Sequence, residues 1–318
     1  MKILEFKGKM SLKNKILIIL ASVVMILFVV ITPIYMLSSG AREWINVYIL
    51  RKEITEDDIA TIEIEVDKTQ HIYAYDRFIS ILYTGKLSVY NSYASKEAEL
   101  DVAISNPIYD TNHNYLVIAE NNGQKIYLIS DTRVLWENKV EGNITKINVS
   151  RNGNVSVIIT GTSHKSIIVT FDKNGKELFK TYLASSIAVD TDISIDGKYL
   201  AIAEINTSGT LIESKVRVID MEKAISGEGE NSVIFRYNAD DNKMITNIKY
   251  QERGQLVCMY TDSIHMIYND KDTSLLEFAS NTKIADINLK SSFVRAEETS
   301  AGLFNAKTDI IIKSILNG

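Results

Sequence analysis

The residues of this chain best suited to chemistry are the carboxylates of one short alternating run, Asp190-Thr191-Asp192-Ile193-Ser194-Ile195-Asp196-Gly197. Alternating acidic oxygens suit a hard cation such as calcium, but the spacing is not that of an EF-hand and no glutamate stands where a bidentate ligand is needed. Period-two alternation puts Asp190 and Asp192 on one strand face. They are the two weak candidates for a metal or for acid–base work, with Asp110 as a further carboxylate. Asp196-Gly197 reads as a turn. His71, His113, His164 and His265 show neither HxH nor HExxH spacing, so no metal cage is expected. The one cysteine, Cys258, sits in the apolar run LVCMY and reads as inert core, and alone it forms no internal disulfide. There is no GxSxG elbow, Walker loop or GxGxxG. No catalytic residue and no cofactor is assigned on these grounds.

The elements that would position such residues are strands. From residue 61 the periodicity changes to two, with TIEIEV (61–66) alternating, and short apolar strand-like runs follow, among them KLSVY (86–90), VSVIIT (155–160) and LVCMY (256–260). Turn signals separate them: Asn121-Asn122-Gly123, Asn152-Gly153, Asn174-Gly175 and Asp196-Gly197. The runs repeat as groups. NHNYLVI (112–118), NGNVSVI (152–158), DGKYLAI (196–202) and ERGQLVC (252–258) are alike. So are the strands that follow them, KIYLIS, SIIVTF, KVRVID and IHMIYN. This alignment makes Leu116, Ser156, Leu200 and Leu256 equivalent.

A period near 40 with about four strands per unit is that of a β-propeller blade. A β-sandwich would not repeat one turn-and-strand pattern four times. Six units start near residues 70, 104, 144, 186, 242 and 284, and Ala224–Asn231 reads as an insertion loop. The last unit runs out after Asp309–Ile315. Either Thr61–Val66 returns to complete it, or the chain continues beyond residue 318. The fold class is therefore all-β, a propeller-like domain of about six blades in a closed or an incomplete ring.

Ahead of that domain lies ILIILASVVMILFVVITPIYML, residues 16–37, without a charge. As a helix rising ~1.5 Å per residue it is long enough to cross a bilayer core of about 30 Å. Ile16, Leu17, Ile26, Leu27, Phe28 and Leu37 are representative of its lipid-compatible surface. The run exceeds the ~7–15 residues of a signal-peptide core, and the stretch from Pro33 to Ala41 matches a cleavage site weakly. It reads as a retained anchor. Lys2, Lys7, Lys9, Lys13 and Lys15 against the single Glu5 hold residues 1–15 in the cytoplasm and send the bulk outside. The expected divisions are a basic tail over 1–15, the anchor over 16–37, a stiff juxtamembrane connector over 38–60, and the propeller-like domain over 61–318. Trp44, Val47, Tyr48 and Leu50 suit a short helix at the outer membrane surface.

Removing the five lysines and one glutamate of residues 1–15 from 35 basic and 40 acidic residues leaves the remainder about nine charges negative. With no long basic run, that disfavours a nucleic-acid partner and an anionic lipid surface.

The anchor, followed by AREWINVYILRKEITEDDIATIEI (41–64), NSYASKE (91–97), NNGQKIYLI (121–129), NGKELFKTYL (174–183) and DGKYLAIAEINTSGTLIES (196–214), resembles an uncharacterised bacterial domain-of-unknown-function family, number 5711. The resemblance implies a short N-terminal anchor, propeller-type repeats and an extracytoplasmic location, and it brings no catalytic residues. NGKELFK is also similar to quinoprotein-like and WD-type blades. The WD and GH signatures are missing, so no quinone is implied.

Three functions fit these readings. The first is a non-enzymatic binding or scaffolding propeller, tethered to the bilayer and engaging a protein or cell-envelope partner. The second is a propeller-type lactonase or hydrolase with Asp190, Asp192 and Asp110 converging at the channel. The third is an envelope sensor, for which the 15-residue tail leaves little room for an output.

Overall fold

The computed structural model describes residues 12–37, 45, 49, 61–64, 70–240, 243–268, 271–278, 282–287, 292–300 and 306–314. The chain divides into two units, Met1–Thr61 and Ile62–Gly318, each considered by itself.

In the first unit, helix α1 spans Leu12–Leu37. Within it, Leu17–Met36 has a mean hydropathy of 3.0, and its side chains are not buried against protein. By length and composition this helix could cross a membrane. Leu17, Ile26, Leu27 and Phe28 are all exposed on it. Its few polar side chains are satisfied internally: the Ser22 hydroxyl donates to the Ile18 carbonyl at 2.8 Å, and that of Thr32 to Phe28 at 2.7 Å. Ile16 and Leu37 fall within the helix, as do Lys13 and Lys15 in its first turn. Lys7, Lys9 and the connector residues Trp44, Val47, Tyr48 and Leu50 lie outside the described residues.

The second unit is a row of antiparallel meanders. Sheet 1 holds β1 (His71–Tyr75), β2 (Phe78–Tyr83), β3 (Lys86–Tyr90) and β4 (Lys96–Asp101). Sheet 2 holds β5 (Pro107–Asn112), β6 (Tyr115–Glu120), β7 (Lys125–Ser130) and β8 (Arg133–Lys139). Sheet 3 holds β9 (Asn143–Val149), β10 (Val155–Thr160), β11 (Ser166–Phe171) and β12 (Glu177–Leu183). Sheet 4 holds β13 (Ile187–Ile193), β14 (Tyr199–Asn206), β15 (Glu213–Asp220) and β16 (Val233–Asn238). Sheet 5 holds β17 (Ile245–Tyr250), β18 (Leu256–Tyr260), β19 (Ser263–Tyr268) and β20 (Lys271–Glu277). Sheet 6 has three strands, β21 (Thr282–Ile287), β22 (Ser292–Ser300) and β23 (Ala306–Ser314). Each sheet starts within three residues of the repeat read from the sequence.

Among the described residues no strand joins sheet 6 to sheet 1, and there is no closed ring. Thr61–Ile64 belong to no strand, and Glu65 and Val66 lie outside the described residues. Alternation alone does not make TIEIEV a strand. A strand persists only where its N–H and C=O groups find a ladder, and Thr61–Ile64 have none among the described residues.

The core lies between successive sheets. Leu87 and Val89 of sheet 1 meet Leu116 and Ile118 of sheet 2. Val117 and Ala119, on the opposite face of β6, meet Val155 and Val157 of sheet 3. Ile158 and Ile168 meet Leu200 and Ile202 of sheet 4. Ala201 and Ala203 meet Leu256 and Cys258 of sheet 5. The second strands of sheets 2 to 5 are thus buried on both faces, so their sequences are near-continuous apolar runs.

Leu116, Leu200 and Leu256 all face the preceding sheet, as the repeat requires. Ser156 does not. It faces the following sheet, with its hydroxyl 2.9 Å from that of Thr191, and Val155 takes the equivalent place. In the Ser150–Asn154 turn the Ser150 N–H already bonds the Asn154 carbonyl. The corresponding turn of sheet 4 closes between Ser194 and Tyr199, one residue wider. One residue of turn length exchanges the two faces of a strand.

The segment read as an insertion joins β15 to β16. It carries α2 (Met221–Ile225), whose Lys223 N–H is capped by the Asp220 carboxylate at 3.2 Å, and a 3-10 turn at Gly229–Ser232. The β11–β12 hairpin shows how turns lock neighbouring sheets. Gly175 sits at φ +83°, and a Cβ there would come within 2.8 Å of Trp136 Cγ on β8. Its carbonyl accepts from the Asn138 side-chain amide at 2.7 Å. Gly175→Ala combines a left-handed backbone with an aromatic clash. It is expected to cost about 1–3 kcal/mol, measured as a lowered unfolding midpoint of the full chain in detergent micelles. An unchanged midpoint would mean that Trp136 does not pack there.

Candidate functional site: carboxylates and lysines of the inner strands

The first strand of each sheet has one edge without a strand partner in its own sheet, so some of its N–H groups need acceptors from elsewhere. The aspartates supply them. On β13, Asp190 and Asp192 share a face and are only 2 % exposed. Asp190 Oδ2 accepts from the Ile248 N–H at 2.9 Å, and Asp192 Oδ2 from the Tyr250 N–H at 2.6 Å, both on β17. The period-two spacing of the carboxylates matches that of the N–H groups they cap. Asp110 repeats the device two sheets earlier: from β5 it accepts from the Val149 N–H of β9 at 2.8 Å.

Two lysines face these carboxylates. Lys146 Nζ lies 3.4 Å from Asp190 Oδ1. Lys249 Nζ lies 3.4 Å from Asp192 Oδ1 and 3.8 Å from Asp110 Oδ2. Lys249 therefore joins sheets 2, 4 and 5. Burial pushes the Asp192 carboxyl up to about 6 despite the pull of the Lys249 ammonium and the Tyr250 N–H, and Asp190 moves the same way for the same reason. Burial on its own would lower the Lys249 pKa. The carboxylates of Asp110, Asp192 and Asp190 outweigh it and hold the group above the ordinary lysine range.

The structure thus brings together Asp110, Asp190 and Asp192, with one oxygen of each bonded to a backbone N–H and each carboxylate beside an ammonium group. Among the described residues no three histidine, cysteine or acidic side chains form a group that could hold a metal ion.

The histidines stand apart from this cluster and from one another. His71 is on β1, His113 sits at φ +53° in the β5–β6 turn, and His164 lies in the β10–β11 connection. His265, on β19, has the richest surroundings. Its Nδ1 is 2.9 Å from Asp272 Oδ2, which also accepts from the Tyr237 hydroxyl at 2.6 Å, and its ring packs at a 53° tilt against Tyr260, centroids 4.6 Å apart. Burial and the bond to Asp272 push the Tyr237 hydroxyl up to about 12. Cys258 is fully buried beside this group, and burial pushes its thiol far above the range of a nucleophile. A second cluster sits in sheet 4. The wholly buried Glu204 accepts from Ser186 Oγ at 2.5 Å and from Arg217 Nε at 2.6 Å. The only sequence signal for it was a charge inside each of two apolar runs, AIAEI and KVRVI. The His265 group left no signal, because Tyr237 comes from the preceding sheet.

Comparison with other proteins gives a family and a fold. A family of unknown function, DUF5711, matches residues 50–309. No curated protein matches in sequence. Among solved structures, the chain is similar to the β-propeller domain of Cps50 (Swd1) from Myceliophteria thermophila, with a TM-score of 0.54 at 12 % identity over 81 % of this chain and 86 % of that one. It is also similar to hydrazine synthase from Kuenenia stuttgartiensis, with a TM-score of 0.51 at 13 % identity over 74 % and 79 % of the two chains. Raptor from Chaetomium thermophilum gives 0.52 at 11 % identity, over 76 % of this chain and 24 % of the other. At such identities the likeness is one of fold.

Proposed function

The chain belongs to the family of unknown function DUF5711, and from that premise, which carries no activity with it, we propose a membrane-tethered β-propeller that works as a binding or scaffolding module outside the cytoplasm. One observation carries the reading. The inner-strand carboxylates on which a hydrolase of this shape would depend are spent on backbone N–H groups and on Lys146 and Lys249. Two of them are nearly inaccessible to solvent. Their job is to fasten one sheet to another. Sheets fastened in this way leave their connections free to carry binding.

The tether is supported by the apolar stretch of α1 and by the lysines before it, which favour an inside N-terminus. The partner is a protein or a component of the cell envelope. Protease added to intact protoplasts is expected to digest the chain beyond about residue 45 and to spare the basic tail. Complete protection of the propeller in intact cells, with digestion only after lysis, would overturn the proposed location.

A further inference from the structure

A cleft of about 310 Å³ opens on the side of sheet 3, where the β8–β9 and β10–β11 connections meet the end of β12. Its floor is apolar, formed by Ile159, Ile167 and Val169. Its rim carries both signs of charge, from Lys139 and Lys180 on one hand and Glu141 and Glu177 on the other. At one wall Tyr182, 54 % exposed, stands against the His164 ring with centroids 4.9 Å apart. That residue is held by its neighbours in the β10–β11 connection. Its Nδ1 lies 3.1 Å from Ser163 Oγ, and the His164 N–H donates to Thr162 Oγ1 at 3.2 Å.

The chemistry of these walls selects a ligand class. A sugar ring has an apolar C–H face, which rests on an aromatic ring, and a girdle of hydroxyls that both donate and accept. Tyr182 offers the aromatic surface, the two carboxylates accept, the two ammonium groups donate, and the hydroxyls of Thr162 and Ser163 do either. Two cations against two anions leave no net charge, so a phosphate or carboxylate ligand gains nothing from the field. Lys180 is in addition held 3.2 Å from Glu177. An acyl chain or apolar peptide would press hydrocarbon against four charges and strip their water. The volume lies at the small end of the range for ligand clefts, about 300–1,000 Å³.

We propose that this cleft binds a neutral saccharide. The inference gives a ligand class to the binding module proposed above and rests on that reading only in this sense.

The test is saturation-transfer NMR on the full chain in detergent micelles. The probes are β-linked N-acetylglucosamine, β-glucan and α-mannan trisaccharides, with inorganic phosphate as the anionic control. At least one trisaccharide is expected to bind. Tyr182→Ala should weaken that binding about tenfold, Tyr182→Phe should retain most of it, and Glu177→Gln should weaken it as well. Because Tyr182 is largely exposed, the alanine variant should keep its melting temperature, which separates lost binding from lost fold. Three results overturn the proposal: no trisaccharide binds, Tyr182→Ala binds like the parent chain, or phosphate displaces the sugar. Absence of sugar binding in a chain whose protease topology is as expected removes this cleft and leaves the tethered module standing. A propeller protected from protease does the reverse.

Discussion

Replacing Lys249 with methionine is expected to destabilise the propeller by about 3–5 kcal/mol, the cost of breaking a buried ion cluster by removing one partner. The ammonium lies within reach of Asp192 and Asp110 from two other sheets, and Asp192 is itself nearly inaccessible to water. Methionine matches the length of the stem, so packing is kept and only the charge and its donors are lost. The carboxylates would then face each other unbalanced in a region of low dielectric. Lys146 supplies the contrast. It holds Asp190 from a position that is 37 % exposed, so water can replace much of what Lys146→Met removes, and its loss should cost less than about 1 kcal/mol. Denaturant midpoints of both variants and the parent in the same micelles decide the matter. Similar losses for the two lysines would show that Lys249 is not the central fastening of sheets 2, 4 and 5.

Much of this architecture was legible in the sequence because of how propeller sheets bury their strands. The second strands of sheets 2 to 5 and the third strands of sheets 2 and 3 are packed on both faces, and VSVIIT, SIIVTF and LVCMY declare themselves as apolar runs. The strands passed over were mainly the first and fourth of each sheet. β4 (KEAELD) and β8 (RVLWENK) are partly solvent-facing outer strands whose charges hide the period. β13 (IAVDTDI) carries two aspartates because its N–H-capping task requires oxygen. The same two residues stood out as chemical candidates from sequence alone. Spacing told correctly that they share a face. What it could not tell is that Ile248 and Tyr250, 58 residues away along the chain, present backbone N–H groups at matching intervals. The one-residue error at Ser156 has a similar origin, since turn width is not set by the Asn-Gly signature alone.

A large pH effect should come from Asp192. Its folded carboxyl titrates near 6, against an ordinary value of 3.8. Between these values the folded chain keeps a proton that the unfolded chain has released, so stability falls as pH rises through the window. Across the whole window the loss amounts to about 3 kcal/mol, at ~1.4 kcal/mol for each pH unit of displacement. Asp190, raised by burial in the same direction, adds to the slope. Asp192→Asn keeps an oxygen to accept from the Tyr250 N–H while removing the titration. Unfolding free energies of parent and variant, measured in micelles at pH 4.5 and pH 7, should therefore change unequally. The parent loses stability relative to the variant as pH rises, and the variant's profile is the flatter of the two. Parallel profiles would mean that Asp192 titrates alike in folded and unfolded chains. A parent that gains on the variant with rising pH would mean that Lys249 and the N–H bond outweigh burial at this carboxylate.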